Sequence, residues 1–187
     1  MATTFKADFK KAREKFKRLT CRFLEQHFGF KKILSTEEVS ESLKGLLDKH
    51  SCVDACGFTK NDDLVFLASR VIEVVPYGDN YDCFSLRNKR VSGKGTELQK
   101  LARKIQLDLP RPTYHVQTFV NEKDDVLTVA ITRTKELVEF IMAREPKIKK
   151  ANDGTEFWLA SWKDLRAAGI KVGVYSVGVD GKKISRS

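Results

Sequence analysis

YHVQTFVNEKDDVLTVAITRTKELVEFIMAREP, residues 114–146, passes in one stretch from an apolar period of two to a period near 3.6. Tyr114 to Val120 and Val126 to Thr132 alternate apolar and polar side chains and are joined by the charged turn Asn121 to Asp125, which predicts an antiparallel hairpin. Leu137, Ile141 and their neighbours then recur at helical spacing until Pro146 stops them. A hairpin followed directly by a helix is the grammar of an α+β protein.

Reading outward toward the C-terminus, Lys147 to Gly154 is a polar loop. Ser161 and Asp164 have capping-box spacing ahead of a short helix that ends at Gly169. Lys171 to Val179 and Lys182 onward flank Asp180-Gly181, a dipeptide that supplies the positive φ angles of a type I′ turn, so a second hairpin is expected. Toward the N-terminus, Thr96 and Gln99 predict a capped helix through about Leu107, closed by Pro110 and Pro112. Cys52 to Phe58, Leu64 to Val75 and Tyr81 to Leu86 are rich in β-branched and aromatic residues, and the turns between them suggest a three-stranded meander. Ser35 and Glu38 again have the capping spacing, with Val39, Leu43, Leu46 and Leu47 on the inner face of a helix. Before it, Phe5, Phe9, Ala12, Phe16, Leu19 and Phe23 form one stripe of a helix running from about Thr4 to His27 and stopping near Gly29. The expected fold is therefore α+β: a single domain over 1–187, in which an N-terminal helical hairpin (1–50) packs on a mostly antiparallel sheet with additional short helices (51–187).

The 187 residues suffice for one proper core, and 41% hydrophobic content with twelve Phe argues against global disorder. No run of 18 apolar residues occurs, and the charged N-terminus lacks the apolar segment of a signal peptide, so no transmembrane segment is expected. Four cysteines in a chain of this length are too sparse for a disulfide framework, which points to reduced thiols and a cytoplasmic, reducing compartment.

Charge is more informative than composition. Residues 1–32 carry an excess of +7, residues 33–86 of −6, residues 87–111 of +6 and residues 112–187 of +3, within a total of +10. Two basic segments thus flank an acidic one. In the folded chain they could converge on one face, or the acidic block could neutralise one of them by packing alongside. Lys6, Lys10, Lys11, Arg13, Lys17, Arg18 and Arg22 lie in the first segment. Arg87, Lys89, Arg90 and Lys94 lead through Gly93 and Gly95 into a helix carrying Lys100, Arg103 and Lys104. Such cations neutralise phosphates and release counterions, and glycines let the backbone approach a phosphate closely. A solvated helix face and an exposed loop are the bland alternatives.

Other chemistries find less support. Gly95 interrupts the Gly-Lys-Ser/Thr ending of a Walker A loop, because Lys94 and Thr96 are not adjacent. His50, Cys52 and Cys56 form only one loose pair of zinc-type ligands, so buried free thiols fit them better. Asp54, Asp62, Asp63, Glu73, Asp79 and Asp82 could supply a metal-dependent nuclease, but Glu73 is followed by Val74 and Val75 where a nuclease Glu-x-Lys pattern needs lysine. Gly173-Val174-Tyr175 superficially resembles the opening of a GIY-YIG nuclease, yet the catalytic residues that should follow have no room before Ser187. Tyr77, Tyr81, Tyr114, Phe119, Phe157, Trp158 and Trp162 could stack bases, with core packing the simpler role. No catalytic residue, metal ligand or cofactor is assigned. The expectation is a non-enzymatic DNA- or RNA-binding protein that grips the phosphate backbone through both basic segments. The alternatives are an inhibitor or adaptor docking on the acidic surface of a protein partner, and a metal-dependent nuclease.

Overall fold

The computed structural model describes residues 14–36, 38, 52–74, 82–93, 95–177 and 183–184. Its fold is mixed α+β, as the periodicities imply. Helix α1 begins as a π-helical segment, Phe16–Cys21, and continues as an α-helix over Arg22–His27. Gly29, at φ 75°, ends it in the left-handed conformation that a residue with a side chain adopts only at a cost. The chain then enters strand β1 (Phe30–Ser35) and, later, β2 (Ala55–Thr59) and β3 (Leu64–Glu73). Next come β4 (Cys83–Lys89), α2 (Glu97–Gln106), β5 (Tyr114–Val120), β6 (Val126–Arg133) and α3 (Thr134–Arg144). After these follow β7 (Ile148–Lys150), β8 (Glu156–Ser161), α4 (Trp162–Ala167), β9 (Val172–Val177) and β10 (Lys183–Ile184).

Seven strands form one sheet in the order β1-β2-β3-β5-β6-β9-β10. Its neighbours are antiparallel except for β3 and β5, which run parallel from Leu67 opposite Tyr114 to Glu73 opposite Val120. The second sheet, β4-β8-β7, is antiparallel throughout.

Alternation along the strands divides the core in two. On β6, Val129 joins Phe16, Phe23, Leu24, Ile33 and Leu67 beneath α1, whereas its neighbour Ala130 joins Phe84, Leu101, Leu137, Ile141 and Trp162 on the opposite face. Helix α1 therefore covers one face of the large sheet. The small sheet and helices α2, α3 and α4 cover the other. A hydrogen bond of 2.8 Å between the buried hydroxyls of Thr20 and Thr118 ties α1 to the sheet beneath it.

The Tyr114 to Thr132 hairpin and the helix after it form as expected, and so do both capped helices. Thr96 accepts from the Gln99 N–H while the Gln99 side chain accepts from the Thr96 N–H, and Ser161 accepts from the Asp164 N–H.

Three expectations need correction. First, residues 52–86 are not a meander: β4 leaves the large sheet and pairs with β8. The physical reason is Gln117, whose buried amide accepts from the Ser85 N–H at 2.9 Å and donates to the Cys83 carbonyl at 2.6 Å, so β4 is held above β5 and not beside β3. Second, the polar loop at 147–154 contains a strand, β7, whose exposed residues pair with β8 along one edge. Third, β1 intervenes where the N-terminal helical hairpin was expected to turn, because Phe30 and Ile33 bury against α1 while pairing carries the strand to β2. The hairpin's second helix, residues 39–47, falls outside the described residues, as do residues 4–13 of the first and the Asp180-Gly181 turn. At Ser35 the start of a cap is present: its N–H and Oγ both donate to the Glu38 carboxylate at 3.0 Å.

Candidate nucleic-acid interface

Among the described residues, most cations of the first basic segment are occupied by carboxylates of the same protein. Lys15 donates to Glu73 at 2.9 Å and forms an ion pair with Asp124, and Arg18 donates to the same Asp124 at 2.6 Å. Lys17 pairs with Glu38 at 2.8 Å. Hydrogen bonds to Asp124, then to Glu73, push the Lys15 ammonium above its ordinary pKa, and the same lysine, with Arg18, holds the Asp124 carboxyl below its own. Lys17 likewise lowers the Glu38 carboxyl. Arg22 is exposed and makes no ion pair among the described residues. Lys6, Lys10, Lys11 and Arg13 lie outside the described residues. Of the two arrangements open to the sequence, the acidic block has thus packed alongside this segment, with Asp124 added from the β5–β6 turn.

The second segment is different. Arg87 lies near the end of β4, where the pairing with β8 shifts register before Lys89. That irregularity adds one residue to β4 and turns the chain toward the loop. Gly93, at φ 66°, then permits the turn closed by its N–H to the Arg90 carbonyl at 3.1 Å. The capping box starts α2, which buries Leu98 and Leu101 and leaves Lys100 and Arg103 exposed. Neither has an ion-pair partner among the described residues. Lys104 donates to the Pro110 carbonyl at 3.0 Å, and Lys89 has Glu156 at 3.9 Å. Lys94 is outside the described residues.

Behind this rail sits a group that sequence reading missed. Arg70, on β3, reaches across to the small sheet, donating to Ser85 Oγ and to Glu97, each at 3.2 Å. Its guanidinium lies 4.8 Å from the centre of the Phe157 ring, and that of Arg87 lies 5.7 Å from the same ring. The Nε groups of Arg87 and Arg90 are buried and make no hydrogen bond. Burial first, then the charges of Arg70 and Arg90, press the Arg87 pKa below its ordinary value. Three guanidiniums are thereby gathered with Glu97 as the one carboxylate bonded to them among the described residues. The acidic reputation of residues 33–86 concealed Arg70, and only the parallel pairing of β3 with β5 brings it under β4.

The two basic segments do not form one surface among the described residues. Helix α1 and Arg70 approach the large sheet from opposite faces, since Glu73 bonds Lys15 on one side while Arg70 bonds Ser85 and Glu97 on the other.

The remaining candidates are dispersed. Asp54 accepts from the Ser69 N–H, Asp62 pairs with Lys31 and Glu73 with Lys15, while Asp79 is outside the described residues. Among the described residues no group of three or more His, Cys, Asp or Glu could hold a metal ion. None of the four cysteines forms a disulfide, and burial pushes the Cys21 thiol up to about 12 and that of Cys83 to about 11. Of the aromatic candidates, Phe119 and Trp162 are buried and Tyr114, Phe157 and Trp158 half-buried. No helix among the described residues is long and apolar enough to cross a membrane. Comparison of the chain with protein families, with curated proteins and with solved structures gives no match.

Proposed function

We propose that the protein is a non-enzymatic nucleic-acid-binding protein that holds the phosphate backbone through the face formed by the end of β4, the loop after it and α2. One observation supports this reading above the others: Arg87, Arg90, Lys100 and Arg103 carry charge without an ion-pair partner among the described residues, while Lys15, Lys17 and Arg18 are paired. Unpaired cations keep their counterions, and the release of those counterions to solvent drives association with a polyanion. Backbone contacts of this kind position a strand without reading its sequence.

Titration of labelled single- and double-stranded DNA and RNA at 50 and 200 mM salt tests the proposal. About six phosphate contacts would lower affinity roughly a thousandfold across that interval. Replacing Lys100 and Arg103 together by Ala should reduce the slope of log affinity against log salt by about two. Absence of binding at 50 mM salt would sink the reading. The second reading, docking on an acidic protein surface, would then stand on the exposed apolar Val91, Leu107 and Met142 beside the same cations.

A further inference from the structure

The guanidinium group described above opens onto a cleft between the two sheets, of about 490 Å³. Arg70 and Arg87 stand at one part of its wall, with the exposed Lys149 also contributing. Ile72, Val74, Phe119 and Leu159 supply apolar wall elsewhere. Glu73 reaches the cleft as well, but its carboxylate is bonded to Lys15. The cleft therefore combines cations whose like charges repel one another with apolar wall, and its one carboxylate among the described residues, Glu73, is held by Lys15. A ligand that suits both is an anion attached to a flat, weakly polar body. Clefts of roughly 300–1,000 Å³ enclose single small molecules, so a polymer could enter only by one residue.

The geometry points to this cleft as a binding site for one nucleotide bearing a phosphate monoester, its phosphate between Arg70 and Arg87 and its base against Ile72, Val74, Phe119 and Leu159. The choice of phosphate over another anion rests on the nucleic-acid reading of the neighbouring face. Arg70 is prepared for the task, because Ser85 and Glu97 fix its guanidinium and Phe157 supports it from the side. Arg87 has a buried Nε that makes no hydrogen bond, and a planar fork matches phosphate oxygens two at a time. A terminal monoester carries close to two charges where an internal diester carries one, so a strand should engage the cleft through its end. The same phosphate chemistry is offered by a free mononucleotide and by a phosphorylated strand terminus.

Binding of a single-stranded oligonucleotide with a 5′-hydroxyl, of the same strand with a 5′-phosphate or a 3′-phosphate, and of a nucleoside 5′-monophosphate distinguishes the two sources. One terminal phosphate should raise strand affinity about tenfold or more, the gain expected of charge-assisted hydrogen bonds. Arg87→Gln should abolish that gain, so that the variant binds hydroxyl-ended and phosphate-ended strands alike, whatever it loses in common for both. Arg87→Lys, which keeps the charge and removes the fork, should restore only part of it. Replacing Lys100 and Arg103 should weaken all strands by the same factor. A thermal melt checks that the Arg87 variants fold. Equal affinity for hydroxyl and phosphate ends, with no uptake of the mononucleotide at millimolar concentration, would overturn the cleft assignment while the surface reading stands. Full retention of the phosphate gain in Arg87→Gln would overturn it too. Mononucleotide binding lost in Arg87→Gln, without binding of any strand, would uphold the cleft and end the surface reading.

Discussion

Gln117 and His115 sit two residues apart on β5, point to the same face and are both fully buried, yet they solve burial in opposite ways. Gln117 satisfies its amide completely enough to hold β4 in place through the Ser85 N–H and the Cys83 carbonyl. His115 makes no hydrogen bond through either ring nitrogen and meets the edge of Phe84 at a centroid distance of 5.8 Å. Desolvation dominates its titration and lowers its pKa from 6.5 to about 4, with Glu97 and Arg70 acting in opposite directions as smaller influences. The folded state thus resists a proton that the unfolded chain accepts below pH 6.5. Stability from this residue is fully present above pH 6.5 and falls as the pH drops toward 4, by roughly 3 kcal/mol over that window. Urea unfolding of wild type and His115→Leu should show the wild-type advantage shrinking by that order between pH 6.5 and 4. Parallel pH profiles for the two proteins would contradict it. Neither role was legible in the sequence, where His115 and Gln117 are simply the polar positions of an alternating strand.

At the scale of elements, helix α2 shows how far local spacing carries. Its cap is written in Thr96 and Gln99, three residues apart, and both reciprocal hydrogen bonds form. Thr96→Ala should cost about 1 kcal/mol and lower the melting temperature by a few degrees. It should also loosen Arg70, since Glu97 in the first turn of that helix is its carboxylate partner. The binding gain from a terminal phosphate should therefore fall in Thr96→Ala, measured with the same oligonucleotides. Helices, hairpins and caps were readable because their defining contacts join residues only a few positions apart. Strand β7 was not, because Ile148, Lys149 and Lys150 are all exposed and its one organising contact is the edge of β8. Strand β1 escaped for a related reason: Lys31 and Lys32 stand together between Phe30 and Ile33 and hide the alternation.

For the whole molecule, the decisive fact is that a seven-stranded sheet stands between the described parts of the two basic segments. The +7 of residues 1–32 and the +6 of residues 87–111 are correct as arithmetic, and they left open whether the two would converge on one face or be neutralised by the acidic block. The described part of the first segment meets four carboxylates from elsewhere in the sequence: Glu38, Asp62, Glu73 and Asp124. Asp124 holds two of those cations, so Asp124→Asn should free Arg18, leave Lys15 to Glu73 alone and strengthen polyanion binding at low salt. Lys17→Ala with Arg18→Ala should change wild-type binding by less than about threefold, whereas Lys100→Ala with Arg103→Ala should remove most of it at 200 mM salt. A larger loss from the α1 pair than from the α2 pair would transfer the binding face to the other side of the sheet.

Fold class, the Tyr114 to Thr132 hairpin, the helix after it, the helices capped at Thr96 and Ser161, and the segregation of charge into blocks were all present in the order of residues, because each depends on neighbours along the chain. Which strand lies beside which, that Arg70 rather than a lysine of α1 joins Arg87, and that the described parts of the two positive segments face apart were settled only by folding. Pairing β3 with β5 joins residues 47 positions apart, as Leu67 opposite Tyr114 illustrates, and the choice of face follows from that register. A shift of one residue would turn every side chain of a strand to the other side. No local spacing records a relation of that kind, because its energy comes from surfaces that meet only when the layers close.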